Sequence, residues 1–226
     1  MGSAHSMTRR DAIRATALGA AGLAAGAVPL AADVVKSVPT NPNEAIERLK
    51  QGNARFISGR SADARRDLDR VRDLSGGQSP YAAILGCADS RVPPEILFDE
   101  GFGDLFTVRV AGNVATPEEI ASLEYAAGVL GSTAIVVLGH SSCGAVTAAV
   151  DGGDVPGQIS SLFQHIAPGV REGASIDEAV EANVRYQVNV LKQASTVIRG
   201  GLRAGTHAVV GAVYSLETGE VNFLDD

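Results

Sequence analysis

Tryptophan is absent from the 226 residues, cysteine occurs twice, and aromatic residues make up only 4%. Two cysteines cannot build a disulfide framework; they can form one bridge, sit as inert core residues, or share one metal site. Positive charge is not in excess: the formal net charge is −7, so the chain as a whole gives no reason to expect nucleic acid or an anionic membrane surface as a partner. No internal repeat is visible. With 45% hydrophobic and 20% charged residues, the composition is that of a globular protein, long enough for one domain with a sizeable core.

What is present concentrates at the ends of two apolar runs. Tyr81-Ala82-Ala83-Ile84-Leu85, bounded by Pro80 and Gly86, predicts a buried strand and delivers Cys87-Ala88-Asp89-Ser90-Arg91. Thr133 to Leu138 predicts a second strand, which ends in Gly139 and delivers His140-Ser141-Ser142-Cys143. In an open α/β sheet, ligand sites lie outside the carboxyl ends of the strands. Adjacent parallel strands would therefore bring Cys87, His140 and Cys143 together. Two thiolates and one imidazole suit zinc, with a fourth position left open.

The remaining elements alternate between helix and strand. Asn41-Pro42 predicts a helix start, with apolar residues at helical spacing through Ile57. Ser61 to Leu74 carries both signs of charge, and its four arginines, Arg65 to Arg72, read as a solvated helix face with Asp67–Arg70 and Asp69–Arg72 pairs rather than as an anion patch. A helical turn is expected at Glu95 to Phe98, a strand over Leu105 to Val110, and a helix capped by Thr116 and running to Gly131. Gly144 to Ala149 and Ile159 to Ile166 predict short helices, and Asp177 to Arg199 one long helix with the apolar stripe Val180, Val184, Val188, Leu191 and Ile198. Strands follow at Ala208 to Tyr214 and Val221 to Leu224. The pattern is an α/β domain with a mainly parallel central sheet flanked by helices.

At the amino end, residues 1–6 read as an expression scar. Residues 7–32 resemble a twin-arginine export signal: Thr8, Arg9-Arg10, Ile13 and Arg14 fall where that motif places them, Ala12 departs from it, and an Ala/Gly-rich run follows. That run is poor in Leu, Ile and Phe and is interrupted by Pro29, so stable membrane insertion is not expected. Residues 33–41 read as a linker and 42–226 as the main domain, exported to the periplasm or another extracytoplasmic space, or cytoplasmic if the signal does not function.

Three separated motifs carry a more specific resemblance. Cys87-Ala88-Asp89-Ser90-Arg91-Val92, Arg109-Val110-Ala111-Gly112-Asn113 and Gly139-His140-Ser141-Ser142-Cys143-Gly144 resemble, in order, those of the β-class carbonic anhydrases, over about residues 43–224. The resemblance implies one zinc per chain, ligated by Cys87, His140 and Cys143, and reversible hydration of carbon dioxide to bicarbonate by zinc-bound hydroxide. It implies an Asp89–Arg91 pair that orients the nucleophile, or, in a closed form, Asp89 itself as fourth metal ligand. It also implies Gln78 as a hydrogen-bonding partner of substrate or product, and Phe106 and Tyr125 as walls of the substrate pocket, reaching the metal from the partner in a homodimer or dimer of dimers. Packing alone would also explain Phe106 and Tyr125, and a turn would explain Gln78. Some members carry a regulatory bicarbonate site built on tryptophan, which this chain lacks. Two rivals share the motif: a hydrolase of carbon disulfide or carbonyl sulfide, and a non-catalytic zinc- or bicarbonate-binding protein.

Overall fold

The structure is a computed structural model that describes residues 38–61, 65–166, 170 and 173–225. The expression scar and export signal expected at 1–32 lie outside the described residues, as does 33–37 of the expected linker. Among the described residues, no helix is long and apolar enough to cross a membrane.

Five strands form one sheet: β1 (Ala82–Gly86), β2 (Leu105–Arg109), β3 (Ala134–His140), β4 (Ala208–Tyr214) and β5 (Val221–Phe223). Their spatial order is β2-β1-β3-β4-β5. The first four are parallel and only β5 is antiparallel, against β4. Every residue of β1 and β3 is buried, as expected of parallel strands covered on both faces. Alternate residues feed two cores. Ala82, Ile84, Val136 and Leu138 pack with Leu49 and Phe98 on one side, while Leu85, Ile135 and Val137 pack with Leu123, Leu191 and Ile198 on the other.

The helices are α1 (Pro42–Ile57), α2 (Leu68–Asp73), α3 (Pro94–Leu97), α4 (Pro117–Gly128), α5 (Gly144–Asp151), α6 (Ile176–Ala194) and α7 (Thr196–Ala204). The start of α1 is as the sequence predicts: Asn41 Oδ1 accepts the Glu44 N–H at 3.0 Å and Pro42 occupies the first turn. Helix α4 is closed by a Thr116/Glu119 capping box and stops at Gly128, short of the expected Gly131.

Three expectations are corrected. The long helix expected over Asp177 to Arg199 is two, broken at Ser195, whose backbone is extended. The Ser195 hydroxyl accepts the Ile198 N–H at 3.0 Å to start α7 and donates to Glu124 Oε1 at 2.5 Å, so one side chain both caps a helix and ties it to α4. Strand β3 runs through His140 instead of ending before it. The Ile159 to Ile166 segment is a 3₁₀ helix, Ile159–His165.

The arginine-rich segment also differs. Only Asp69–Arg72 pairs along the helix, at 2.6 Å, while Asp67 caps α2 by accepting the Arg70 N–H at 2.8 Å. The other arginines reach across to α3 and the loop after it: Arg65 grips Asp104 at 2.5 Å, Arg66 donates to the Glu100 and Glu95 carbonyls, both at 3.0 Å, and Arg70 donates to the Phe102 carbonyl at 3.1 Å. Beneath them, buried Arg48 of α1 donates to both oxygens of Glu100 at 2.9 and 2.6 Å, and the Tyr81 hydroxyl donates to the same carboxylate at 3.0 Å. Glu100 is 0% exposed. Removing one partner of a buried ion pair costs far more than the pair itself contributes. Arg48→Met is therefore expected to lower unfolding free energy by about 3 kcal/mol, read as a shifted urea midpoint at unchanged slope; a shift under about 0.5 kcal/mol would show that Glu100 keeps adequate partners without it.

Candidate metal centre

Sheet order reverses between β1 and β3: from β1 the chain moves out to β2, then returns to the far side as β3. That is the switch point at which open α/β sheets place their ligands. Cys87 leaves the end of β1, and His140 is the last residue of β3. Cys143 follows after two residues and precedes the first turn of α5. The short return needs Ser142 at φ 52°, a left-handed conformation uncommon outside glycine. Its neighbour is pinned on both sides: Ser141 N–H donates to the Tyr214 carbonyl at 2.9 Å, and Ser141 Oγ accepts the Leu216 N–H at 3.0 Å.

The candidate ligand atoms of Cys87, His140 and Cys143 all lie within 4.8 Å of one another, and the two sulfurs are 4.0 Å apart. Tetrahedral zinc with bonds of about 2.3 Å to sulfur would set its sulfurs roughly 3.8 Å apart. The His140 Nδ1–H donates to the Ser141 carbonyl at 2.9 Å, which leaves the Nε2 lone pair facing inward, buried and without a hydrogen-bond partner. A buried acceptor is costly to leave unpaired, and a cation between it and two thiolates would satisfy it. The donor set fits zinc on this observation and on its softness. Around it pack Val114, Val146, Ile166 and Val180.

Asp89 stands at the open side. Oδ1 accepts the Arg91 backbone N–H and Nε, both at 2.9 Å, and Oδ2 accepts Nη2 at 2.8 Å. Oδ2 also lies 3.8 Å from His140 Nε2. The carboxylate is thus engaged with arginine while adjoining the ligand cluster.

The carbonic anhydrase family matches residues 82–221 of the chain. Carbonic anhydrase 2 of Mycobacterium tuberculosis is 42% identical over 195 residues, 82% of this chain and 94% of that protein. This chain belongs to the β-class carbonic anhydrases. The carbonic anhydrase of Mycolicibacterium smegmatis is 43% identical over 80% of this chain and 93% of its own length. A tetrameric β-carbonic anhydrase from Sordaria macrospora superposes with a TM-score of 0.62 at 25% identity, covering 71% of this chain and 88% of that one.

Charge in this β-class centre is arranged around the sulfurs. The Cys87 thiol is pulled below the ordinary thiol range, first by the hydrogen bond from Cys143, and further by His140 and the backbone N–H groups of Gly112 and Asp89, against the cost of burial. The same contact, with burial, pushes Cys143 up. Both sulfurs must ligate as thiolates, so binding a divalent cation would release any thiol proton they carry. Burial disfavours protonation of His140, but the Cys87 sulfur and its charge outweigh it and raise the imidazole above its ordinary value. The Arg91 guanidinium holds the Asp89 carboxyl well below the usual carboxylate range.

Not every residue expected at the site is gathered there in one chain. Gln78 is exposed and precedes β1, whereas Cys87 follows it, so a five-residue strand, roughly 17 Å, lies between them. Phe106 pairs in register with Ala83, three positions before the Gly86–Arg109 level. Its ring is 6.3 Å from that of Tyr125 on α4, which is 47% exposed. Conversely, Arg109 gains a role that spacing does not reveal. Level with Gly86, it donates from Nε to the Cys87 carbonyl at 3.1 Å and from Nη2 to the Asp89 carbonyl at 2.6 Å, bracing the loop that carries ligand and carboxylate.

Proposed function

We infer that this centre catalyses the reversible hydration of carbon dioxide to bicarbonate and a proton, with one zinc per chain held by Cys87, His140 and Cys143. The observation that carries this reading is the buried two-sulfur, one-imidazole cluster with an ionised, arginine-braced carboxylate at its open side. Zinc supplies a Lewis acid that lowers the pKa of water from 15.7 to about 7, so that hydroxide is available near neutrality. The chain's own groups do the rest. Asp89, kept ionised by Arg91, accepts the hydrogen bond of the attacking hydroxyl and so fixes the direction of its lone pair. Arg109 holds the backbone of the same loop, so the carboxylate does not drift from the ligands it adjoins. The apolar surround of Val114 and Val146 keeps the reacting oxygen from bulk water and admits a linear apolar substrate.

A homodimer, or a dimer of dimers, completes the site in this reading. Exposed Gln78 of one copy binds bicarbonate in the other, and the Phe106–Tyr125 pair walls its carbon dioxide pocket. Support comes from the exposure of Gln78 and Tyr125, and from the length of β1 that separates Gln78 from Cys87 of its own chain. The arginine pair and small-residue run of 7–32 support export by the twin-arginine route, which carries folded, metal-loaded proteins.

Stopped-flow hydration of carbon dioxide across about pH 6.5 to 9, with zinc quantified on the same sample, tests the activity. The rate is expected to rise with pH at about one zinc per chain. Full zinc with no hydration at any pH would overturn the reading; turnover of carbonyl sulfide or carbon disulfide by that sample would replace it with the hydrolase, and inertness toward all three with a binding protein.

A further inference from the structure

Two carboxamides lie within the apolar face of α6. Asn183 is 0% exposed and Gln187 is 1% exposed, in a buried stripe otherwise made of Ala179, Val180, Val184, Val188 and Leu191. Buried amides are costly unless every donor and acceptor is used. Here they form a chain. Gln187 Nε2 donates to Asn183 Oδ1 at 2.9 Å and to the His165 carbonyl at 2.6 Å, while Gln187 Oε1 accepts the Ala115 N–H at 2.9 Å. Asn183 Nδ2 then donates to the Gly112 carbonyl at 2.8 Å. Gly112 is the residue whose own N–H points at Cys87 Sγ, at 3.4 Å.

Gly112 cannot hold this position through packing of a side chain. Its φ is +75°, and a Cβ there would fall 2.9 Å from Ile166 Cδ1. Its carbonyl lies in the peptide shared with Asn113 and its N–H in the one shared with Ala111, so what the carbonyl binds anchors the residue between the two. We propose that Asn183 and Gln187 are positioning residues for the metal centre: by holding the Gly112 carbonyl and the Ala115 N–H, the amide pair anchors the loop backbone where the Gly112 N–H reaches the Cys87 sulfur. Hydrogen bonds to a ligating sulfur draw charge away from it, so less is donated to the metal, which stays a stronger Lewis acid. Two thiolates would otherwise quench that acidity. The pair thus acts on the reaction through Cys87, without touching substrate.

This rests on the zinc reading above, and its test separates the two. The full-length protein, uniformly labelled with nitrogen-15 and loaded with cadmium-113, is expected to show a through-bond correlation between the cadmium and the Gly112 amide proton. In Asn183→Ala that correlation is lost. Cobalt-loaded Asn183→Ala is expected to shift its sulfur-to-metal charge-transfer band to longer wavelength, because the sulfur becomes the richer donor. Chelator competition is expected to show zinc bound about tenfold more weakly, because the backbone that cradles the ligating sulfur is no longer held in place, a loss that outweighs the richer donation. Unchanged band position and zinc affinity in a variant that is merely less stable to urea would overturn the proposal, leaving the amides as packing. If Asn183→Ala does not fold, the wild-type spectrum decides: cadmium bound without the Gly112 correlation overturns the proposal. A protein that binds no cadmium would overturn the metal centre itself and this inference with it.

Discussion

Cys87→Ser is expected to purify with far less than one zinc per chain and to hydrate carbon dioxide at least about 10³-fold more slowly than the parent. Apparent binding free energies at thiolate-rich zinc sites reach about 10–16 kcal/mol near neutral pH, and each ligand must bind deprotonated. A serine hydroxyl does not ionise in that range, so the substitution removes a charged ligand and leaves a neutral oxygen in its place. The surroundings do not compensate. His140 and Cys143 cannot move toward a retreating metal, because one is the last residue of a fully buried strand and the other opens α5. The exchange is nearly isosteric at a site with polar neighbours, so the fold should persist. Urea unfolding of the two metal-free proteins is the control, expected to agree within about 1 kcal/mol. The measurement is zinc content and stopped-flow rate on the same preparation. Stoichiometric zinc with an unchanged rate would place the metal elsewhere.

Asp89→Asn separates binding of the metal from use of it. Asp89 is bonded to Arg91 rather than placed among the three ligands, so zinc content is expected to stay near one per chain. The hydration rate is expected to fall by about 10²–10³-fold, the range in which a positioned proton-handling group contributes. An amide can still accept a hydrogen bond, but it carries no charge and its NH₂ group faces the Arg91 guanidinium unfavourably. The pH behaviour adds a second readout. Because Arg91 depresses the Asp89 pKa in the folded protein, this carboxylate contributes stability above its unfolded pKa of about 3.9 and loses it as pH falls through the folded value. It is therefore ionised throughout the working range, and the inflection of the rate profile near neutrality does not belong to it. The inflection should survive in Asp89→Asn at reduced amplitude; its disappearance would assign the titration to Asp89.

The ligand cluster is legible in the sequence because its geometry is local to two strand ends. Cys87 and the His140–Cys143 turn each follow a run too apolar and too short to be anything but a buried strand, and parallel pairing of β1 with β3 does the rest. What is hidden depends on partners far along the chain. Arg65 and Arg70 have acidic residues close by in sequence, so local pairing is the natural expectation; their true partners lie more than thirty residues on, in the loop after α3. The break at Ser195 is hidden because Ile198 continues the apolar stripe of α6 in phase, and only the tether to Glu124 shows why the axis turns there. Asn183 and Gln187 did leave a trace, as two amides four apart on the face that carries Val180 and Val184, where a solvated helix would not put them.

The placement of the ligands on β1 and β3 also governs how the loaded protein comes apart. Cys87 and Cys143 are 56 positions apart, and β2 and α4 lie between them in sequence. A cation shared by both sulfurs closes that stretch into a ring, and a ring of this length restricts the unravelled chain far more than the native one. The two strands it joins are central in the sheet, so neither can peel away as an edge would. Separation of the middle strands then requires the ion to let go of at least one sulfur, so the bound metal slows the unravelling of the loaded chain.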